Sequence, residues 1–457
     1  MAEGGIMREE CGIFGIFDQS KQLDVAKLTY FGIFSLQHRG QESAGIAVTS
    51  GENILVYRDL GLVSEVFNER ILNTLRGNIA IGHVRYSTAG SNNWENSQPI
   101  LNQFSGGSFA LAHNGHIINQ GELKEFLSLR SELSKNRDAD SHLLCQLISN
   151  SGEQDIEKAL EKVVDYIKGA FCLVILTENK LIGLRDNRGF HPLVLGEVEE
   201  GYVIASEDSV FPLINAKYLR EIQPGEMVVI DKNGLRNKQI LPSRQKALCI
   251  FEHIYFARPD SVVFGENVAV IRERIGQRLA LEHPVEADIV ISVPDSGRFA
   301  ALGYSQASGI PYQEGLVKNP YVTRTFIQPD QILREHSVKV KLSPISEIVK
   351  EKRIVMVDDS IVRGTTSRKL VKLLKNVGAR EVHVRISSPP VNFPCHYGID
   401  TPNKEELWAT RFSVEQIRQW IEADSLGYIS LDGLTNVFQK NSPSDFCTAC
   451  FSGEYPI

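Results

Sequence analysis

The chain has little cysteine, no long apolar run and no excess of basic charge. Seven cysteines among 457 residues are too few for a disulfide scaffold. No apolar run approaches the roughly 18 residues that cross a bilayer, so we expect no membrane contact. Acidic residues outnumber basic ones by 56 to 49, which argues against a nucleic-acid partner. The first ten residues lack the apolar core of a signal or transit peptide. Together these absences favour a cytoplasmic globular protein.

The two halves of the chain differ in their patterns. Up to about residue 245, short apolar strands occur in clusters with helical patterns between them, which predicts two sheets packed face to face with helices outside, an α+β architecture. From Val268 onward, helices and strands alternate, which predicts an α/β unit with a parallel sheet. The polar segment Lys232–Lys246 contains few strand-forming residues, and we place the boundary near it.

One segment of the second half, Val355–Ser367, runs from an apolar strand through a turn to a helix start. The adjacent carboxylates of Asp358 and Asp359 can bind ribose hydroxyls or hydrated Mg²⁺. The small hydroxyl-bearing residues that follow offer backbone N–H groups to a phosphate at the helix N-terminus. The turn follows a parallel strand, where α/β folds place ligands. A solvated acidic turn is the alternative, but it does not explain the whole pattern.

This segment resembles the phosphoribosylpyrophosphate (PRPP) motif of type I phosphoribosyltransferases. The resemblance implies that Asp358 and Asp359 contact the ribose and the metal. It also implies a 5′-phosphate site formed by Arg363, Gly364, Thr365, Thr366 and Ser367.

Two further segments fit the same resemblance. The loop Val293–Gly297 also joins a strand to a helix, and Ser296 stands where that family contacts Mg²⁺; taken alone, the loop could equally be a capped helix start. The basic segment Lys318–Phe326, together with Arg334, Lys339 and Lys341, is interpreted as a lid over pyrophosphate. A solvated basic loop is the alternative.

The start of the chain suggests a second chemistry. Cys11–Phe17 begins a strand, and by itself this predicts a buried core cysteine. Three more segments and Asp140, which opens a predicted helix, change that interpretation. The segments are Gln37–Gly45, Gly82–Thr88 and Ala112–Gly115, the last two placed after predicted strands. Together they resemble the glutaminase domain of N-terminal-nucleophile amidotransferases.

The resemblance implies a role for each matching residue. Cys11 must be the first residue of the mature chain, because its α-amine, with a pKa of about 8, acts as the base for its thiol. The Asn114 side chain and the Gly115 N–H stabilise the oxyanion. Arg85 binds the glutamine α-carboxylate, and Asp140 its α-amine. We interpret His38, His83 and His113 as structural rather than as general bases.

Both halves in one chain, joined through Tyr255–Ser261, resemble the glutamine PRPP amidotransferases. That family converts glutamine, PRPP and water to 5-phosphoribosylamine, glutamate and pyrophosphate, the first committed step of purine synthesis. The resemblance implies Mg²⁺, purine-nucleotide feedback inhibitors and a homotetramer. The expected organisation is a propeptide at 1–10, a glutaminase domain at 11–240 and a phosphoribosyltransferase domain at 241–457 with a C-terminal cluster-binding tail.

The sequence also allows two rival interpretations. The first is an amidotransferase that aminates a different sugar phosphate, against which the segment Asp358–Ser367 argues. The second is a regulatory protein that senses PRPP, but the sequence shows no basic helix-turn-helix pattern.

The remaining cysteines leave several chemistries open. The pair Cys447 and Cys450 could be redox-active or half of a zinc site. One branch of the amidotransferase family holds a [4Fe–4S] cluster with four cysteines in the arrangement of Cys249, Cys395, Cys447 and Cys450. Four thiolates also suit zinc, so chemistry alone leaves zinc and unliganded thiols open. Cys145 and Cys172 lie in apolar patterns and are predicted to be in the core.

Overall fold

The computed structural model describes residues 11–86, 94–128, 139–319, 342–399, 401 and 403–457. In the first half, a seven-stranded and a six-stranded sheet are formed. Their strands are β1 Gly12–Asp18, β2 Ser43–Thr49, β3 Ile54–Leu60, β4 Ile79–Arg85, β5 Ile100–Phe104, β6 Gly107–Ile117, β7 Gly169–Thr177, β8 Leu181–Arg185, β9 Val194–Val198, β10 Gly201–Ala205, β11 Lys217–Glu221, β12 Glu226–Asp231 and β13 Gly234–Gln239. The strand orders are β11–β9–β10–β1–β4–β2–β3 and β13–β12–β8–β7–β6–β5, with antiparallel neighbours.

The two sheets pack face to face through an apolar layer. Ile13 of β1 and Val174 of β7 belong to one buried cluster between them. Helices cover the outer faces, because Ile33 of the first helix packs on one sheet and Leu144 of the fifth on the other. The helices of this half are α1 Val25–Ser35, α2 Val63–Val66, α3 Glu69–Leu72, α4 Gln120–Ser128, α5 Asp140–Ser149 and α6 Ile156–Val163. The predicted layering of sheets inside helices is therefore confirmed.

The expectation that the boundary segment is poor in strands is wrong. β13 lies inside it, at the edge of the second sheet. Its side chains are polar because an edge strand with one neighbour faces solvent. Lys238 of β13 extends to Glu161 of α6 at 2.6 Å, so the charges that conceal the strand pattern also attach it to a helix.

The second half is built on a four-stranded parallel sheet, whose strands in spatial order are Ile289–Ser292 (β17), Arg353–Asp358 (β20), Glu381–Ile386 (β21) and Ser425–Tyr428 (β22). Val355 and Val357 face one core cluster, whereas Ile354 and Met356 face another, so the central strand is buried on both sides. The strands are β14 Leu248–Cys249, β15 Val262–Val263, β16 Glu266–Asn267, β17 Ile289–Ser292, β18 Leu316–Lys318, β19 Leu342–Pro344, β20 Arg353–Asp358, β21 Glu381–Ile386, β22 Ser425–Tyr428 and β23 Phe446–Cys447. The helices are α7 Val268–Glu282, α8 Arg298–Ser308, α9 Ser346–Val349, α10 Thr365–Asn376, α11 Val414–Ile421, α12 Leu431–Thr435 and α13 Ala449–Ser452. The predicted parallel sheet is confirmed.

The two halves meet along the segment that follows β13. Cys249 of β14 pairs in parallel with Cys447 of β23, which brings the C-terminal tail back to the boundary. A single π-helical turn then occupies Glu252–Phe256. This form of helix is rare in proteins, and where it occurs it often lies at a functional site. None of the helices in the described part of the chain has the length and apolar character needed to span a membrane.

Candidate active site

Cys11 lies immediately before β1, the strand between β4 and β10 in the first sheet. Its Sγ donates to the Tyr86 carbonyl at 3.5 Å. Burial raises the pKa of the Cys11 thiol to about 11, against the opposing effects of the Tyr86 carbonyl and the Arg85 charge. The thiol is therefore protonated at neutral pH, and a nucleophilic role requires a base beside it.

The charged residues predicted to bind glutamine lie close to this thiol. Arg85 immediately precedes Tyr86, whose carbonyl accepts from Cys11 Sγ. The Arg85 charge lowers the pKa of Cys11, and the Asp140 charge raises it. Asp140 is the first residue of α5 and accepts hydrogen bonds from the N–H groups of Ile117 at 3.2 Å and Ser141 at 2.9 Å. These bonds fix the Asp140 carboxylate at the C-terminal end of β6. The structure thus brings Cys11, Arg85 and Asp140 to one site.

Asn114 and Gly115 lie within β6 rather than after a strand, so that part of the prediction is corrected. The Asn114 side chain is 1% exposed, and its Nδ2 has no hydrogen-bond partner among the described residues. Gly115 has a φ of +135°, and a Cβ there would lie 2.1 Å from the Ala170 carbonyl oxygen. A buried amide donor without a partner is costly and is suited to an oxyanion.

The neighbouring histidines have structural contacts. His83 Nε2 lies 3.1 Å from the His113 carbonyl oxygen and joins β4 to β6. Burial lowers the pKa of His83 to about 3 and also lowers the pKa of His113. His38 Nε2 lies 2.7 Å from Glu207 Oε1. The buried, neutral rings of His83 and His113 and the contact between His38 and Glu207 favour the structural interpretation of these side chains.

A second polar site lies at the carboxyl ends of β17 and β20. Ser296 Oγ donates to Asp359 Oδ1 at 2.5 Å, and the Asp359 N–H donates to Asp358 Oδ1 at 3.0 Å. Ser360 Oγ donates to the other Asp359 oxygen at 2.6 Å. Burial, reinforced by the Asp359 charge, raises the pKa of Asp358 well above its ordinary value. Two distant loops, at 293–297 and 358–367, therefore meet in one acidic site.

The helix after this turn begins without a side-chain cap. Gly364 precedes α10 with a φ of +65°, and a Cβ there would lie 3.1 Å from the ring of Trp420. The hydroxyl of Thr365 is buried without a hydrogen-bond partner among the described residues. A helix N-terminus with free N–H groups and a free hydroxyl can bind phosphate. Arg363, in contrast, forms an ion pair with Glu406.

The four remaining predicted ligands converge. Cys249, Cys395, Cys447 and Cys450 line one pocket that is otherwise mainly apolar. The Tyr397 N–H donates to Cys395 Sγ at 3.3 Å. Burial raises the pKa of Cys447 to about 12 and that of Cys450 well above its ordinary value. As the side chains stand, the described residues contain no group of three or more His, Cys, Asp or Glu that could hold a single metal ion.

Comparisons with known proteins agree with this arrangement. A model described as a glutamine amidotransferase domain matches residues 83–212. The amidophosphoribosyltransferase of Synechocystis sp. is 49% identical over 455 residues, covering 98% of this chain and 91% of that protein. The amidophosphoribosyltransferase of Bacillus subtilis is 46% identical over 460 residues, covering 100% and 96%. The chain belongs to the amidophosphoribosyltransferase family.

A solved amidophosphoribosyltransferase structure extends the comparison to three dimensions. The glutamine PRPP amidotransferase from B. subtilis, complexed with ADP and GMP, matches with a TM-score of 0.91 at 46% identity, covering 98% of this chain and 97% of that one. The predicted family, the two-part fold and the enzyme class, a glutamine-dependent pentosyltransferase of purine biosynthesis, are confirmed.

Some predicted parts of this amidophosphoribosyltransferase lie outside the described residues. They are residues 1–10, Ser87 and Thr88, and the basic segment from residue 320 through Arg334, Lys339 and Lys341. The described start of that segment is tied to the loop at 293–297, because Lys318 Nζ lies 2.7 Å from Asp295 Oδ2.

Sequence reasoning missed a buried group of charges beside the nucleophile. Arg39 lies between Glu207 and Glu252, and its Nε donates to the Cys11 carbonyl oxygen at 3.3 Å. Arg39 lies in a segment that carried the resemblance, but nothing in the local pattern distinguished Glu207 or Glu252 from surface acids.

Proposed function

We propose that this chain releases ammonia from glutamine at Cys11 and transfers it to PRPP at Asp358 and Asp359. The observation that carries the proposal is that one chain assembles both sites: Cys11 Sγ is bonded to the Tyr86 carbonyl, next to Arg85, and Ser296 is bonded to Asp359 at the sheet edge. Ammonia from the first site must reach the ribose of PRPP without entering bulk solvent, so closure of the basic lid would couple the two reactions.

In the glutaminase half, the Cys11 thiolate attacks the amide carbon of glutamine. The Asn114 amide and the Gly115 N–H stabilise the oxyanion, ammonia leaves with a proton, and water hydrolyses the thioester to glutamate. Arg85 binds the α-carboxylate and Asp140 the α-amine of glutamine. The buried Nδ2 of Asn114, which has no partner among the described side and main chains, supports its role.

This chemistry requires removal of residues 1–10. A peptide nitrogen before Cys11 is no base, and the thiol pKa of about 11 leaves almost no thiolate at neutral pH. After cleavage, the free α-amine can take the thiol proton. The proposal also includes the domain boundaries inferred from the sequence. They are a propeptide at 1–10, a glutaminase unit at 11–240 and a transferase unit at 241–457.

In the transferase half, the 5′-phosphate is bound at the start of α10 by Arg363, Gly364, Thr365, Thr366 and Ser367. The Thr365 hydroxyl, buried without a partner in the described structure, supports this role. Arg363 would have to leave Glu406 to bind phosphate. Asp358, Asp359 and Ser296 would hold Mg²⁺, which supplies positive charge to the pyrophosphate oxygens. The raised pKa of Asp358 fits, since two buried carboxylates without a cation repel each other.

The pocket lined by Cys249, Cys395, Cys447 and Cys450 would hold a [4Fe–4S] cluster. Its donors are sulfurs, its walls are largely apolar, and a backbone N–H already points at Cys395 Sγ, as at cluster thiolates. The alternative is a zinc ion bound by the same thiolates. Measuring the iron and zinc content of the purified protein distinguishes the two.

Purine nucleotides would regulate the enzyme. The B. subtilis relative was solved with ADP and GMP bound, and a site for PRPP can also bind nucleotide phosphates. A homotetramer is retained as part of the proposal from the family resemblance.

The test of the two-site assignment is Cys11→Ser. We expect loss of glutamine-dependent 5-phosphoribosylamine synthesis and retention of synthesis from high concentrations of ammonia, measured as PRPP-dependent pyrophosphate release. Cys145→Ala, at a buried cysteine of α5, is the matched control and should retain both reactions. Loss of the ammonia reaction in folded Cys11→Ser protein would show that the assignment is wrong.

A further inference from the structure

We infer that Glu252 is a positioning residue for glutamine cleavage, which acts from the second half of the chain on Cys11 through Arg39. Glu252 accepts from Arg39 Nη1 at 3.0 Å and from Nη2 at 2.6 Å. The third donor of the same guanidinium, Nε, is bonded to the Cys11 carbonyl oxygen. One rigid planar group therefore links the nucleophile's own backbone to the transferase half.

The position of the guanidinium is determined on every side. Glu207 accepts from Arg39 Nη1 at 2.6 Å, and all three charged side chains are fully buried. Because separating buried charges from their partners is very costly, Arg39 cannot turn away without breaking its bonds to Glu252 and Glu207. The direction of Nε, and hence the location of the Cys11 carbonyl, is fixed by the two carboxylates.

Fixing the carbonyl is important because Cys11 is proposed to be a chain terminus. After cleavage, no peptide bond precedes Cys11, so only its carbonyl side is covalently joined to the rest of the chain. The hydrogen bond from Arg39 restrains rotation of this residue and therefore the directions of its α-amine and Sγ. A displacement of about 1 Å in a reacting group can cost about 10²-fold in rate.

The turn that carries Glu252 is itself held by its own half of the chain. Glu252 lies in the π-helical turn Glu252–Phe256. From α7, Arg272 donates to the carbonyls of His253 at 2.7 Å and Ala257 at 2.9 Å. The same segment contacts Glu207 directly, since the Arg258 N–H donates to it at 2.9 Å and the Ser261 hydroxyl at 2.5 Å. The transferase half therefore presents Glu252 on a rigid turn.

The test is Glu252→Gln in the full processed chain. Glutamine keeps the shape but removes the charge that fixes Arg39. We expect kcat for glutamine hydrolysis to fall about 10-fold or more, with KM for glutamine changed less than about 2-fold. Ammonia-dependent synthesis on the same preparation should be unchanged. The control is Glu226→Gln, which removes another buried carboxylate that pairs with an arginine, here the more exposed Arg220, through two 2.7 Å bonds. It should leave kcat unchanged.

A second variant keeps the inference testable if Glu252→Gln does not fold. Glu252→Asp keeps the charge but shortens the side chain, so it should retain the ammonia reaction and show a smaller fall in glutaminase kcat. Wild-type glutaminase kcat in either folded variant would overturn the inference. Equal loss of both reactions in Glu252→Gln and Glu226→Gln would also overturn it, because that is the signature of general destabilisation.

This inference rests on the proposed role of Cys11, but the two fail separately. Full glutamine-dependent activity in Cys11→Ser would overturn the role of Cys11. Full activity in Glu252→Gln, with Cys11→Ser inactive, would overturn only the positioning role.

Discussion

Gly398 of the transferase half packs directly on Gly115, the glycine assigned to the oxyanion site. A Cβ on Gly398 would lie 3.4 Å from Gly115 Cα and 3.1 Å from His191 Nε2. Gly398 has a φ of +131° and lies three residues after Cys395. The His191 ring donates from Nε2 to the Tyr397 carbonyl at 2.8 Å. The segment that carries Cys395, a proposed cluster ligand, therefore also contacts Gly115, which we propose for the oxyanion site.

We expect Gly398→Ala to reduce glutamine-dependent activity about 10-fold or more while ammonia-dependent synthesis continues, because the added methyl would crowd His191 Nε2 at 3.1 Å, beside Gly115. Gly309→Ala is the control, since Gly309 also has a positive φ, of +74°, but a Cβ added there would meet no atom of the described residues within 4 Å. Gly309 lies in the left-handed helical region, where alanine costs about 1–2 kcal/mol, whereas Gly398 at a φ of +131° lies outside it. Equal glutaminase rates in the two would contradict this prediction.

Asp358→Asn and Asp359→Asn should each lower transferase activity by about 10²-fold or more, the scale of losing a preorganised electrostatic partner. Pyrophosphate release with saturating ammonia measures the effect without the glutaminase. Asp288→Asn is the control, because Asp288 accepts from the Arg353 N–H at 2.8 Å at the opposite end of β20. Near-normal PRPP turnover in both site variants would exclude a ribose and metal role.

Asp208 should make stability depend on pH. Burial, together with Glu207 and Asp260, raises the pKa of Asp208 to about 6 from 3.8. A raised carboxyl pKa contributes stability that is complete below about pH 4 and is lost as the pH rises through 6. Asp208→Asn mimics the protonated form and can still accept from the Val262 N–H. We therefore expect its Tm advantage over the wild type to grow from about pH 4.5 to about 7.5, as followed by thermal melts.

Asp260→Asn should change Tm in the opposite direction from Asp208→Asn in the same thermal melts. The pKa of Asp260 is lowered, chiefly by its hydrogen bond with Arg258, so its charged form stabilises the fold above its ordinary pKa. This variant should lose Tm relative to the wild type at about pH 7.5. A pH-independent difference for Asp208→Asn would refute the assignment of the raised pKa.

Cys447→Ser should give colourless protein that keeps residues 1–10 and unfolds readily, because the tail would lose the proposed cluster bond through Cys447 and keep only its backbone pairing with β14. The wild type, purified without oxygen, should be brown with broad absorbance near about 400 nm and should begin at Cys11 by intact mass. Cys145→Ala should keep the colour. A colourless, zinc-loaded and active wild type would show that the cluster assignment is wrong. Active protein that still begins at Met1 would show that Cys11 is not an N-terminal nucleophile.

The sequence by itself determined the parts whose chemistry lies in short continuous segments. The segment from Val355 to Ser367 is one strand, one turn and one helix start, so local periodicity and residue type sufficed to place Asp358 and Asp359. The alternation of helices and strands after Val268 likewise predicted the parallel sheet. The strands of such a sheet can be recognised in the sequence because a strand buried on both faces is apolar throughout. The polar edge strand β13 was missed because its solvent-facing residues carry no such pattern.

Only the tertiary structure decided which distant residues meet. Arg39 and Glu252 are 213 positions apart, and Gly115 and Gly398 lie in different halves of the chain. A buried ion pair forms where folding places two charges out of water together, and a close glycine contact forms where two backbones cross. Neither leaves a periodic signal in the chain, since the free energy of each depends on its partner rather than on its sequence neighbours.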